Sequence, residues 1–202
     1  EEVLDEGISS IRSEAEDMQQ LIEKLLFLAR ADQQRQVLHK ENMELSELVG
    51  DVMRKMKLVT RTHSVELLEN EDGVIFADQV TMRQMMRIFL ENSTKYTPVG
   101  GHITARSRRT PDGKFMQLEL ADDGIGIARE DQQKVFDRFY RVDSSRTKAQ
   151  GGVSGTGLGL SIASWIAEQH GIEISMESEL GQGTKMILRI PLVHRKIRQN
   201  NE

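Results

Sequence analysis

The chain has 202 residues, enough for one large or two small domains with a proper core, and no cysteine, which excludes disulfides, thiolate metal sites and cysteine nucleophiles. Twenty-seven basic against 32 acidic side chains leave a formal charge of −5, so a nucleic-acid binder relying on bulk positive charge is excluded and no nucleic-acid partner is expected. No apolar run approaches the ~20 residues that span a bilayer and no charged-then-apolar leader opens the chain; Glu1 in place of Met points to a piece of a longer protein.

The charge is unevenly placed. Residues 1–35 hold nine acids and four bases, already −5, while residues 36–202 hold 23 of each sign. Two units are therefore expected, joined near residues 32–36. In the first, Leu4, Ile8, Ile11, Ala15, Met18, Ile22, Leu25 and Ala29 alternate spacings of 4 and 3. That is a heptad seam, which predicts a long helix packed at a shallow angle on a coiled-coil or bundle partner. Leu21, Leu26 and Leu28 widen its apolar face towards the C-terminal end. Nothing else in the chain has this pattern, so pairing with a second copy or with a helix outside this sequence is expected. The alternative is an ordinary amphipathic helix lying on the second unit.

In the second unit, residues 37–61 read as a short strand and then a helix with apolar positions Leu45, Leu48, Val49, Val52 and Met56. Val65–Leu68 and Val74–Phe76 are short apolar runs around the turn 70–73. Residues 79–94 have helical periodicity and stop before Pro98. Ile103–Arg109 and Phe115–Leu120 flank Pro111-Asp112-Gly113 and predict a hairpin. A helix runs from about 156 to His170, and Ile172–Met176 and Lys185–Ile190 are the last strands. Helices with an antiparallel or mixed sheet imply a two-layer α/β sandwich. The tail 194–202 is polar.

Two glycine clusters carry the chemistry. Asp122-Asp123-Gly124-Ile125-Gly126 ends an apolar strand, and residues 151–160, with Gly155-Thr156-Gly157-Leu158-Gly159, enter a helix. Glycines let backbone approach a ligand, and a helix start offers N–H groups to an anion, which suits a phosphate clamp. Neither the P-loop nor the dinucleotide fingerprint fits. A flexible loop is the competing explanation of such a stretch. Between the clusters, Phe136-Asp137-Arg138-Phe139-Tyr140-Arg141 sets aromatic rings beside two guanidinium groups. Upstream, Asn92, Lys95 and Tyr96 fall within five residues. An amide oxygen suits Mg²⁺, a lysine suits phosphate, and a tyrosine ring can face a base.

In this order the segments resemble the four boxes of the ATP-binding domain of bacterial sensor histidine kinases, of the GHKL ATPase superfamily. The N-box falls at 88–98, the first glycine box at 122–126, the F-box at 136–141 and the second glycine box at 155–160. The resemblance covers about residues 36–192. The first helix, ending Leu25-Leu26-Phe27-Leu28-Ala29-Arg30, resembles the second helix of the family's dimerisation and phosphotransfer domain. The resemblance implies a Bergerat-type two-layer α/β sandwich at 36–192, preceded by an incomplete dimerisation domain at 1–35 and followed by a flexible tail at 193–202.

By the same resemblance, Asn92 coordinates Mg²⁺, Lys95 offsets phosphate charge and Tyr96 lies against the nucleotide. Asp122 accepts a hydrogen bond from the adenine amino group; a guanine carbonyl there would be repelled, hence ATP over GTP. Gly124 and Gly126 turn the chain under the base. Gly155, Thr156, Gly157, Leu158 and Gly159 open the helix whose N-terminus faces the phosphates, and residues 142–154 form a lid. Arg138 and Arg141 are candidates to reach the phosphates, with a surface ion pair as the alternative for each. Catalysis would be positioning and charge neutralisation by Asn92, Lys95 and Arg138.

Two departures qualify the resemblance. Many family members carry a second Asn four residues before the N-box Asn, and related ATPases have a Glu base in that region; here the position is Ile88, which cannot deprotonate water. Glu91 adjoins Asn92 and is expected about 100° away around the helix. The phosphoacceptor pattern, a His followed by an acid, Leu, a base, Ser/Thr and Pro, fits none of His39, His63, His102, His170 and His194. The acceptor is expected upstream of Glu1. The expected partners are therefore ATP, the missing acceptor helix, a response-regulator receiver domain and a second copy of the chain. The full protein is expected to be anchored in the bacterial cell membrane with this part in the cytoplasm. The alternatives are a GHKL-type ATPase, a serine kinase of an anti-sigma system, and a non-catalytic nucleotide sensor.

Overall fold

The computed structural model describes residues 2–142 and 155–193. The heptad pattern builds one helix, α1 (Glu2–Asp32). It is followed by β1 (Glu41–Glu44), α2 (Leu45–Val59), β2 (Ser64–Asn70), β3 (Val74–Ala77), α3 (Gln79–Tyr96), β4 (His102–Arg109), β5 (Phe115–Asp122), a 3-10 turn at Lys134–Phe136, α4 (Gly159–Gln169), β6 (Glu173–Glu179) and β7 (Gly183–Pro191). Of the expected lid and tail, residues 143–154 and 194–202 lie outside the described residues.

Five strands form a mixed sheet in the order β2-β4-β5-β7-β6, and β1 pairs with β3 in a separate ribbon. The β4–β5 hairpin is antiparallel, as its Pro-Asp-Gly turn predicts. β2 runs parallel to β4, so β3 and α3 are the crossover between them. Alternation along the strands sorts the two faces of the sheet. Ile103 and Ala105 of β4, Met116, Leu118 and Leu120 of β5, and Leu188 and Ile190 of β7 are buried in one core with α2, α3 and α4. On the other face, Arg108 pairs with Glu119 at 3.1 Å, Lys185 with Glu177 at 2.9 Å and Arg189 with Glu173 at 2.7 Å. The result is the expected two-layer sandwich, one face under helices and one face wet.

Asp78 ties three elements together at the start of α3. One carboxylate oxygen accepts the Thr81 N–H at 2.9 Å and caps the helix; the other accepts the His39 N–H at 2.7 Å. Its own N–H donates to Nε2 of His170, just past α4, at 3.0 Å. Burial works to raise the Asp78 pKa, and the hydrogen bonds from Thr81 and His39 overcome it and hold the carboxyl below its usual range.

The C-terminal third of α1 lies on the sandwich. Leu28 and Ala31 are buried, and Phe27 meets Trp165 of α4 edge-on at 5.2 Å between ring centroids. Asp32 accepts two hydrogen bonds from the Arg138 guanidinium, one at 2.7 Å. The seam positions Ile8, Ile11, Met18, Ile22 and Leu25 remain exposed. The alternative expectation, a helix lying on the second unit, therefore holds for its C-terminal third, while the heptad seam faces outward. At 100° per residue the docked stripe and the exposed seam are about 160° apart.

Candidate functional site

A cavity of about 350 Å³ opens where α3, the end of β5, the start of β7, the glycine entry to α4 and one turn of α1 converge. Its wall is built by the C-terminal half of α3, whose helical spacing turns Ile88, Asn92 and Lys95 to the same side. Ser93 and Asp122 meet at its closed end.

Asp122 is the most constrained polar group there. Oδ1 accepts the N–H groups of Gly124 at 3.0 Å and Thr184 at 3.2 Å, and Oδ2 accepts the Ser93 hydroxyl at 2.8 Å. Burial pushes its pKa up, against those three hydrogen bonds, and the neighbouring Asp123 adds to the rise. With Oδ1 fixed by two backbone donors, Oδ2 is the oxygen with accepting capacity left for a ligand donor. Ile125, Ile127, Leu180 and Met186 supply apolar surface around it. A flat heteroaromatic with one exocyclic amino group suits this end.

The other end is cationic. Lys95 lines the cavity with Arg141, and its Nζ lies 5.2 Å from the Tyr96 ring centroid. Burial lowers the Lys95 pKa, and the positive charges of Arg141 and Lys24 lower it further. Burial raises that of Tyr96. Asn92 and Glu91 both line the cavity, Glu91 while pairing with Arg87 at 3.2 Å. Ile88 is buried in the wall, and a Cβ on Gly159 would come within 3.2 Å of its Cγ2.

Gly155, Thr156, Gly157 and Gly159 line the cavity beside this cationic end, and α4 starts at Gly159. Two glycines are geometrically required. Gly126 has φ +68° and its missing Cβ would collide with the Glu179 carbonyl. Gly157 has φ +67° and a Cβ there would press on the Phe139 and Tyr140 backbone at 2.8 Å.

Not every predicted residue reaches the cavity. Gly124 sits behind it, where a Cβ would meet the Tyr96 carbonyl at 2.6 Å. Leu158 is fully buried in the core, so only its backbone is near the site. Arg138 is engaged with Asp32, while Arg141 lines the cavity. None of the described histidines lines the cavity: His63 bonds the Thr97 carbonyl, His102 the Asp123 carboxylate, and His170 the Ile166 carbonyl. Sequence reasoning missed Ser93 and Thr184, which hold Asp122, and Gln20 and Lys24, which α1 brings to the cavity. Ser93 lay inside the N-box motif and could have been found there; Lys24 had no local signal.

Among the described residues no group of three His, Asp or Glu side chains forms a metal cage. The donor set at Asn92 and Glu91 fits an ion that also takes ligands from a bound molecule, as Mg²⁺ does with phosphates.

The family model for histidine kinase-, DNA gyrase B-, and HSP90-like ATPases matches residues 77–194. Sensor histidine kinase YkoH of Bacillus subtilis (strain 168) is 37% identical over 188 residues, which are 93% of this chain and 40% of that protein. Sensor histidine kinase WalK of the same organism is 33% identical over 183 residues, 89% of this chain and 29% of that protein. The chain thus spans well under half the length of these relatives. Full-length ShkA in complex with AMPPNP shares the fold with TM-score 0.75 at 23% identity, over 92% of this chain and 38% of that one. The Acinetobacter baumannii histidine kinase AdeS does so with TM-score 0.72 at 20% identity, over 93% and 84%.

Proposed function

The chain belongs to the histidine kinase-, DNA gyrase B- and HSP90-like ATPase family, and from that premise we propose that it is the ATP-binding catalytic portion of a two-component sensor histidine kinase. The observation that carries the reading is the polarity of the cavity: a braced carboxylate, Asp122, at the closed end and cations at the glycine-rich end. An adenine amino group donates to Asp122 Oδ2, Tyr96 and the apolar wall flank the base, and the triphosphate extends to Lys95 and Arg141. The similarity to YkoH and WalK over most of this chain supports the kinase branch of the family.

The chemistry asked of the chain is positioning and charge neutralisation. Lys95 and Arg141 hold the phosphates. Gly155, Thr156, Gly157 and Gly159 line the same end, and the start of α4 there offers N–H groups to an anion. Asn92, with Glu91 beside it, would hold Mg²⁺, which when bound would supply charge neutralisation. In the transfer, Nε2 of an acceptor imidazole bonds to the γ-phosphorus while the bond to the β-phosphate oxygen breaks and ADP leaves. That imidazole lies on a segment other than this chain. A response-regulator aspartate then receives the phosphoryl group.

In this reading residues 1–35 are the second helix of a dimerisation and phosphotransfer domain, 36–192 the catalytic domain and 193–202 a tail. The exposed seam of α1 takes the missing acceptor helix and a second copy of the chain. No described helix is long and apolar enough to cross a membrane. We place this portion on the cytoplasmic side of a membrane-anchored protein.

Calorimetric titration tests the cavity assignment. Mg·ATP is expected to bind with 1:1 stoichiometry and Mg·GTP at least about tenfold more weakly, as a lost hydrogen bond to a buried charged acceptor implies. Equal affinities for the two nucleotides, or no binding of either, would contradict the assignment.

A further inference from the structure

Helix α1 takes part in the cavity itself. Gln20 and Lys24, one turn apart on its docked stripe, line the same space as Asn92, Lys95 and Arg141. Lys24 is half-buried there, although it belongs to the helix and not to the sandwich. The rotational setting that points it inward is fixed further along α1, by Phe27 on Trp165, by buried Leu28 and Ala31, and by the Asp32–Arg138 pair.

Lys24, Lys95 and Arg141 line the cavity together, and the positive charges of Arg141 and Lys24 both press on Lys95. Three like charges converging on one space repel, at a cost that grows as water is excluded. A bound polyanion reverses the sign of that interaction.

We infer that Lys24 is a third phosphate-binding cation, contributed by α1, so that the polyphosphate of a bound nucleotide clamps α1 onto the sandwich. This rests on the cavity being a nucleotide site. Linkage then requires reciprocity: the docked helix raises nucleotide affinity by the factor by which nucleotide favours docking. The effect scales with phosphate charge and is absent for the nucleoside.

The chain's single tryptophan, Trp165, sits at the α1 contact and reports docking by its emission. The test titrates the 202-residue chain and its Lys24→Ala, Lys24→Glu and Lys24→Arg variants with Mg·ATP, Mg·ADP and adenosine, by calorimetry and by Trp165 fluorescence. Lys24→Ala is expected to weaken ATP about twofold to fivefold, the range for a partly exposed charge pair, and ADP less. Lys24→Glu should weaken both further, Lys24→Arg should restore ATP binding, and adenosine binding should not change. ATP, but not adenosine, should alter Trp165 emission in the wild type and do so less in Lys24→Ala. A wild type that binds ATP while Lys24→Ala binds it equally well overturns the inference and leaves the nucleotide site standing. Equal weakening of ATP and adenosine assigns Lys24 a folding role and overturns it as well. A wild type that binds no ATP overturns both readings.

Discussion

Asp122 decides what the closed end of the cavity accepts. Because Gly124 and Thr184 both donate to Oδ1, an asparagine at 122 keeps its amide oxygen there and puts its NH₂ where Oδ2 was. The acceptor becomes a donor without a change of shape. Asp122→Asn is therefore expected to lower ATP affinity by roughly tenfold or more while improving the affinity for ITP relative to ATP, whose 6-amino donor is replaced by a carbonyl in ITP. Calorimetry with both nucleotides checks the inversion; a uniform loss would mean that Asp122 only supports the fold. The same carboxylate makes binding depend on acidity. Its raised pKa means that it protonates, and ceases to accept, at a higher pH than an ordinary aspartate. ATP affinity should fall on acidification before free carboxylates titrate, and Asp122→Asn should lack that step. His170 sets a second dependence, on stability. Its Nδ1 bonds the Ile166 carbonyl at 2.7 Å as donor, and Nε2 accepts from the Asp78 N–H, an arrangement only the neutral ring can make. Burial depresses its pKa below 6.5. For a group depressed on folding, the stability it contributes is present above 6.5 and is lost as pH falls from there through the lower folded value. Urea denaturation between pH 7 and 5 should show that loss, and His170→Gln should flatten it.

At the scale of elements, α1 is held by a small apolar contact and one exposed ion pair. Exposed pairs contribute little to global stability, though bidentate geometry makes this one specific. Arg138→Ala should therefore leave the melting temperature of the sandwich nearly unchanged while red-shifting Trp165 emission as Phe27 leaves it. An unshifted emission would mean that Leu28 and Ala31 hold the helix without help. Elements were largely legible in the sequence because their patterns are local. Alternation predicted β4 and β5 to within about two residues, and the heptad run and the N-box helix were visible as periodicities. What was not legible depends on contacts distant in sequence. The parallel pairing of β2 with β4 has no signature in either strand. Nothing near Arg138 announces Asp32, 106 residues away, so the sequence left phosphate contact and a surface ion pair both open, and the structure shows the ion pair. Lys24 looked like one charge among many on a solvated helix, because its role comes from the cavity and not from its neighbours in sequence. Conversely, Asp122, Asn92, Lys95, Gly155, Gly157 and Gly159, each singled out in a short local motif, line one cavity.

For the whole molecule, the consequential feature is that α1 presents two apolar faces. The docked stripe meets the sandwich and the cavity, and the seam of Ile8, Ile11, Met18, Ile22 and Leu25 is open on nearly the opposite side. One helix can then join a second copy without releasing its own sandwich. Replacing Ile11 and Ile22 with Glu should prevent self-association, read by sedimentation, and leave Mg·ATP affinity within about twofold, since neither residue lines the cavity. A large loss of ATP binding would mean that the two faces are not independent. The mildly acidic charge of the chain also takes on a location: all of the −5 resides in the first 35 residues, and the remaining unit is neutral.

The most direct test of the proposed activity is to incubate the chain with γ-labelled Mg·ATP, with and without the upstream segment of the full-length protein as acceptor, and to follow label and free phosphate. We expect acid-labile label on a histidine of the added segment, little phosphate release without it, and none of the label on His39, His63, His102, His170 or His194. Steady phosphate release with no labelled acceptor would contradict the kinase reading in favour of an ATPase, and strong labelling of any of those five histidines would contradict the placement of the acceptor outside this chain.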